Sequence, residues 1–212
     1  MTIFTVPANT LVDSNATFGP LMPGDLEQVF GSVINTTIVG TIFDTEQDIE
    51  AGGSADTTFI FGGEQQVFPG GMASNTNISG SASGAVGKQQ VDQGSTADLT
   101  TINSGGTQVV LGGTATNTTI NQGGSQVLPL SDSGGSTAIG TTIAGGTQRI
   151  DFGTAMSTTI NSGEQDVGLF SNAQNIAENT VIIGGSQVVG PNGTADNTTI
   201  EGGTMHVMAR IV

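Results

Sequence analysis

Apolar and polar residues alternate in short runs along this chain, and the runs recur. TTINSGGTQVV occupies 100–110, TTINQGGSQVL 118–128, TTIAGGTQRI 141–150, TTINSGEQDV 158–167 and TTIEGGTMHV 198–207. Looser copies begin at Thr36, Thr57, Thr76 and Thr180, which makes nine. The residue after each Thr pair is Ile38, Phe59, Ile78, Ile102, Ile120, Ile143, Ile160, Ile182 or Ile200, so the unit is 17 to 24 residues long with a mean near 20. Runs of β-branched residues with a period of two, separated by Gly and Asn turns, predict strands, and no segment carries a helical period of useful length. A unit this short cannot bury its own apolar face. Stacking does it instead, so the pattern predicts an all-β parallel β-helix, a β-solenoid of about nine coils spaced about 4.8 Å apart.

Successive side chains of a strand point to opposite faces, so the variability of each column separates inside from outside. Between the Gln and the apolar residue of each x-Gln-x-Val strand stand Asp48, Gln66, Gln90, Val109, Val127, Arg149, Asp166, Val188 and His206, a chemical freedom that only solvent allows. The flanking columns are restricted: Gln47, Gln65, Gln89, Gln108, Gln126, Gln148, Gln165 and Gln187 on one side, Ile49 to Val189 on the other. Both are expected inside, together with the first Thr of each pair and the Ile column. Stacked Gln amides can bond to one another along the axis, which satisfies polar groups that burial would otherwise leave costly. The repeat assigns 31–212 to the solenoid and leaves 1–30 as an N-terminal non-repeat segment, a cap or an inter-subunit contact.

Charge narrows the function. Eighteen Asp and Glu against three Lys and Arg give −15, a field that repels nucleic acid. No run is apolar enough to insert into a membrane, and no Sec-type signal is visible at the N-terminus. With no Cys and one His, thiol catalysis, disulfides and His-rich metal sites are excluded. DTEQDIE places Asp44, Glu46, Asp48 and Glu50 along one strand face as a candidate Ca²⁺ site, since a hard cation takes several oxygens. Lyase chemistry would need more than the three scattered cations Lys88, Arg149 and Arg210. A hydrolase would need two carboxylates at a set separation, and Asp151, Glu164 and Asp166 are the set considered. The expectation is no enzyme, no cofactor and no catalytic residue.

The unit Thr-Thr-Ile-x-x-Gly-Gly-x-Gln-x-Val-x-x-Gly-Gly-x-Ala, as in TTINSGGTQVVLGGTA at 100–115, resembles the passenger repeat of the AIDA and antigen 43 class of self-associating bacterial autotransporter adhesins. The resemblance runs from about Thr36 to Val207. It implies a right-handed parallel β-helix outside the cell or on its surface, a role in aggregation, adhesion and biofilm, and Ser and Thr open to glycosylation. Family members carry a signal sequence and a C-terminal outer-membrane barrel; this sequence shows neither, so the expectation is either an excised passenger or a stand-alone repeat protein exported by another route, with its ends favouring the second.

Insertions in a solenoid become loops outside the rod. Thirteen residues separate Leu128 from Thr141 and Val167 from Thr180, and Leu130, Ile139, Leu169 and Phe170 make that edge apolar. At the ends Ile3, Phe4 and Val6, and Val207, Met208 and Ile211, lack polar shielding. These residues are the candidate interaction set. The function expected is a structural solenoid that associates with itself, head to tail into filaments; the alternative is a glycan- or host-surface-binding module using the loop edge.

Overall fold

The structure, a computed structural model, describes residues 2–17, 19–41, 45–130, 135–169, 173 and 175–208. Parallel strands make up nearly all of it, stacked as a β-solenoid of about 10 turns roughly 20 residues apart. Each coil contributes three short strands, so the rod has three faces, named here by their inward residue. The glutamine face holds Gln-x-Val strands, the alanine face holds the strand centred on Ala55 and its equivalents, and the isoleucine face holds Thr-Thr-Ile. The first strands are β1 (Thr2–Val6), β2 (Leu11–Asp13), β3 (Asp25–Val29), β4 (Ser32–Val39), β5 (Glu46–Ile49) and β6 (Ser54–Phe61), and a single turn of helix, α1 (Ser14–Thr17), follows β2.

Alternation works as the sequence requires. In each interior coil the Gln, the Val or Ile two residues on, the Ala, the Thr and the Ile are buried while their neighbours face out. The apolar interior forms two separate columns: a Val and Ala column from Val6 to Ala177, and an Ile column from Leu21 to Ile182. Each fully buried Ile contributes about 2 kcal/mol of transfer free energy. Between the columns runs a polar seam. Gln126 Nε2 donates to Gln108 Oε1 at 2.6 Å and to Thr118 Oγ1 at 3.2 Å, while Gln126 Oε1 accepts from Gln148 Nε2 at 2.7 Å and from Thr141 Oγ1 at 3.4 Å. Every coil from Gln47 to Gln165 repeats that pattern in the same direction, so two donors and two lone pairs of each buried amide are used.

The corner before the isoleucine face has one rule. The residue preceding the inward Thr is left-handed in every coil: Asn35, Thr57, Asn75, Leu99, Asn117, Gly140, Ser157, Asn179 and Asn197 have φ between 52° and 70°. Asn tolerates this region and Gly adopts it freely, whereas a β-branched Thr there is strained. This corner overturns one expected register. In TTFIF the inward pair is Thr58 and Ile60, not Thr57 and Phe59: Thr37 pairs with Phe59 and Ile38 with Ile60, and Phe59 is 40% exposed. Thr57 serves as the corner residue, so the visible Thr pair is one position out of phase. At the next turn, Gly105 takes φ +73° and a Cβ on Gly106 would stand 2.6 Å from the Ile78 carbonyl oxygen, which accounts for the Gly-Gly of the repeat.

Stacking also reaches back into the segment assigned to 1–30. β1 pairs with β3 from Thr2↔Asp25 to Val6↔Val29, β2 pairs with β4, and Leu21 bridges to Ile38. These residues form the first coil on their own chain. Helix α1 takes the place of that coil's isoleucine-face strand, with Asn15 Nδ2 donating to Thr37 Oγ1 at 2.9 Å and Asn15 Oδ1 accepting from the Thr37 amide at 3.2 Å.

Candidate functional site

With the recurring residues turned inward, whatever the rod touches it touches with its outward columns, and these differ sharply between faces. On the glutamine face they carry Glu46, Asp48, Glu50, Glu64, Lys88, Asp92, Arg149, Asp151, Glu164 and Asp166. The alanine face presents Asp56, Asp98, Glu178 and Asp196. The isoleucine face has a single in-register rank, Thr37, Phe59, Asn77, Thr101, Thr119, Thr142, Thr159, Val181 and Thr199, with no charge in it. Two residues further along each strand stand Val39, Phe61, Ser79, Asn103, Asn121, Ala144, Asn161 and Ile183, equally uncharged, and the last coil closes this rank with the exposed carboxylate of Glu201. Asn121 Nδ2 donates to Asn103 Oδ1 at 2.8 Å and Asn103 Nδ2 to Asn77 Oδ1 at 3.0 Å, so the amides are fixed as a second, external ladder. Coil length varies between 17 and 24 residues, yet the rank stays in register, because the extra residues leave at corners.

The charged residues form local networks. Asp56 and Asp98 sit below the usual carboxylate range because Asn75 with Ser74, and Thr116 with Asn117, donate to them from the next coil. Lys88 Nζ meets Glu64 Oε1 at 2.7 Å. Asp48 is pushed up to about 6, first by burial and then by the charges of Glu46, Glu50 and Glu64. Glu46, Asp48 and Glu50 point outward in alternation as expected, but no group of three carboxylates converges to hold a metal ion among the described residues; Asp44 lies outside them.

Asp151, Glu164 and Asp166 do come together, around Arg149. Arg149 Nε lies 2.8 Å from Asp151 Oδ2, and Arg149 pairs in register with Asp166. Asp166 is pushed up to about 7 by burial, by a hydrogen bond with Glu164 and by the charges of Glu164 and Asp151, with Arg149 opposing. Asp166 therefore holds a proton near neutrality.

The two long loops leave the same corner two coils apart. Ser136–Ile139 and Asn175–Glu178 stack on either side of Gly153–Met156, and beside them lies a hollow of about 220 Å³ whose lining includes Phe152, Ile176, Thr137 and Thr154. Leu130 is 64% exposed, Ile139 faces outward between Thr116 and Met156, and Leu169 is half-buried; none of the three lines the hollow, and Phe170 lies outside the described residues. At the N-terminal end Ile3 is exposed, Phe4 packs on the Ile column and Val6 is fully buried. At the other end Val207 and Met208 are exposed; Ile211 lies outside the described residues. The candidate interaction residues thus occupy three separate places. The uncharged face was not among them, although the outward columns, once read across the eight coils before the last, spell it out.

No family model matches the chain, and no curated protein matches it. Among solved structures it is similar to the TibC-catalysed hyper-glycosylated TibA55-350 fragment, at 25% identity over 97% of this chain and 85% of that chain, with a TM-score of 0.48.

Proposed function

We propose that this chain is a non-enzymatic, adhesin-like β-solenoid, displayed outside the cell, that associates with copies of itself through its isoleucine face. The segregation of charge carries the reading. Two rods at −15 each repel across most of their surfaces, and the isoleucine face from Thr37 to Ile183, short of Glu201 in the last coil, is where two copies can approach without opposing carboxylates. Its central coils offer flat Thr and Asn ranks for hydrogen bonding, and Phe59, Phe61, Val181 and Ile183 toward its ends add apolar contact. Contact of this kind is lateral, and it strengthens with salt because added ions screen the net charge.

Sedimentation of the purified chain over a concentration series tests it, alongside the double variant Thr119→Glu/Thr142→Glu and a control on the alanine face, Thr114→Glu/Thr137→Glu. Association lost in the first and kept in the second, with unchanged circular dichroism, is the expected result. A wild-type chain that stays monomeric in high salt would overturn the proposal. A second reading, glycan binding at the loop edge, draws on Phe152 beside Thr137 and Thr154, and predicts saccharide binding that Phe152→Ala abolishes.

A further inference from the structure

The glutamine column does not begin with glutamine. In register below Gln47 stands Glu27, and below Glu27 stands Phe4. Glu27 is fully buried, and its Oε2 does what an amide oxygen does elsewhere, accepting from Gln47 Nε2 at 2.6 Å and Thr36 Oγ1 at 3.2 Å. Its Oε1 occupies the place where every later coil has an amide nitrogen, and that nitrogen would need two acceptors from the first coil. Phe4 offers none. Ser14, also fully buried, faces the carboxyl from α1, and neither Ser14 Oγ nor Glu27 Oε1 has another hydrogen-bond partner.

All the amides of the seam point their N–H groups toward this end, so the ladder presents donors to Glu27 and favours an acceptor there. Closure of the first coil opposes that preference, because β1 and α1 remove the carboxyl from water and supply a phenyl ring and a single hydroxyl in exchange. Among the described residues the elements packed on Glu27 bring no second ionisable group to it: β1 supplies Phe4, α1 Ser14, β4 Thr36 and β5 Gln47. The carboxylates on neighbouring strands are engaged elsewhere or face outward, Asp13 with Asn35, Asp25 with the Met22 amide, and Glu46 and Asp48 on the outer side of β5.

We propose that Glu27 is a proton-operated latch on the N-terminal coil: in its neutral form it lets β1, β2 and α1 close over the end of the solenoid, and its ionisation releases them while the coils beyond stay folded. Burial holds the Glu27 carboxyl above the ordinary glutamate range, more strongly than its hydrogen bonds to Gln47, Ser14 and Thr36 lower it. The closed state therefore binds the proton more tightly than the open one, and closure is lost as pH rises. The latch is independent of the association proposed above, since it concerns the end of the rod and not its isoleucine face.

The chain has no cysteine, so single thiols can report on it cleanly. Val6→Cys places a buried thiol under the first coil and Ala115→Cys one in a middle coil. Alkylation rates are measured between about pH 5.5 and about pH 8, each divided by the rate of the urea-unfolded chain at that pH to remove thiolate chemistry. The expected result is that protection at Val6→Cys falls at least about tenfold across this range, a change of one pKa unit or more in coupling, and falls much less at Ala115→Cys. Adding Glu27→Gln, or Glu27→Met should the first fold poorly, must abolish the pH slope at Val6→Cys even if it loosens the coil at every pH. Protection that does not change with pH, equal slopes at the two sites, or a slope that survives Glu27→Gln would each overturn the latch.

Discussion

Replacing Gln126 by Leu tests whether the polar seam is a connected network or a set of tolerated amides. Leu keeps most of the volume and removes four hydrogen bonds: to Gln108 and Thr118 on one side, and from Gln148 and Thr141 on the other. Gln108 Oε1 keeps Thr118 and Gln148 Nε2 keeps Thr141, at 3.2 and 3.1 Å. What is lost is one amide hydrogen of Gln148 and the acceptor of the Thr141 hydroxyl, two donors stranded in a dry interior at about 1–3 kcal/mol each, partly offset by the favourable burial of Leu, so about 3 kcal/mol in all. Gln187→Leu is the internal comparison. Above Gln187 the column ends in Met205, and its Oε1 accepts from Thr198 alone, at 3.1 Å. Thr198 is half-buried and can turn to water, so this variant should cost about 1 kcal/mol. Urea unfolding followed by far-ultraviolet circular dichroism measures both. Equal costs at the two positions, or a Gln126→Leu chain as stable as the parent, would mean that the seam contributes nothing beyond its volume.

Two further outcomes follow from the corner and the carboxyl clusters. Thr57→Asn replaces a strained β-branched residue at φ 60° by the type found at five of the other corners, and should raise stability by about 1 kcal/mol in the same urea assay. Asp48 and Asp166 have folded-state pKa values of about 6 and about 7 against an ordinary value of 3.8, so the native state binds more protons through that window. Stability is therefore greatest below the window and declines as pH rises through it. Both groups are partly exposed, which limits the effect to about 1 kcal/mol each, and Asp166→Asn should flatten the part of the urea-midpoint profile lying near pH 7.

The fold was legible because a solenoid prints its cross-section into its sequence nine times over. Columns restricted to Gln, Val and Ile could only be inside, and in every coil before the last, where Ile200 is exposed, they are. What escaped had particular physical causes. At 57–61 a left-handed Thr precedes an inward Thr, so two adjacent threonines mimic the pair of the other coils while standing one residue earlier. The first coil was hidden because Phe4, Glu27 and Leu21 replace the residues that mark the repeat, as they must where the amide ladder begins and a helix supplants a strand. Apolar loop residues drew attention to the edge at 129–140 and 168–179, whereas the uncharged face is defined by what is missing from two columns over eight coils. Such a pattern emerges only when outward residues are compared across the whole stack.

Parallel stacking of each strand on the next coil also fixes how the rod would respond to a pull between its ends. Load along the axis falls on one inter-coil seam at a time, so the hydrogen bonds break in sequence like a zipper and not together in shear. Each released coil pays out its contour, about 70 Å for some twenty residues. The tether lengths would not be uniform: 18 residues separate Ile60 from Ile78, 24 separate Ile78 from Ile102, 18 lead on to Ile120, 23 to Ile143 and 17 to Ile160. Short and long extensions would alternate, and the rod would yield gradually, coil after coil, as a shock absorber between whatever its two ends are fastened to.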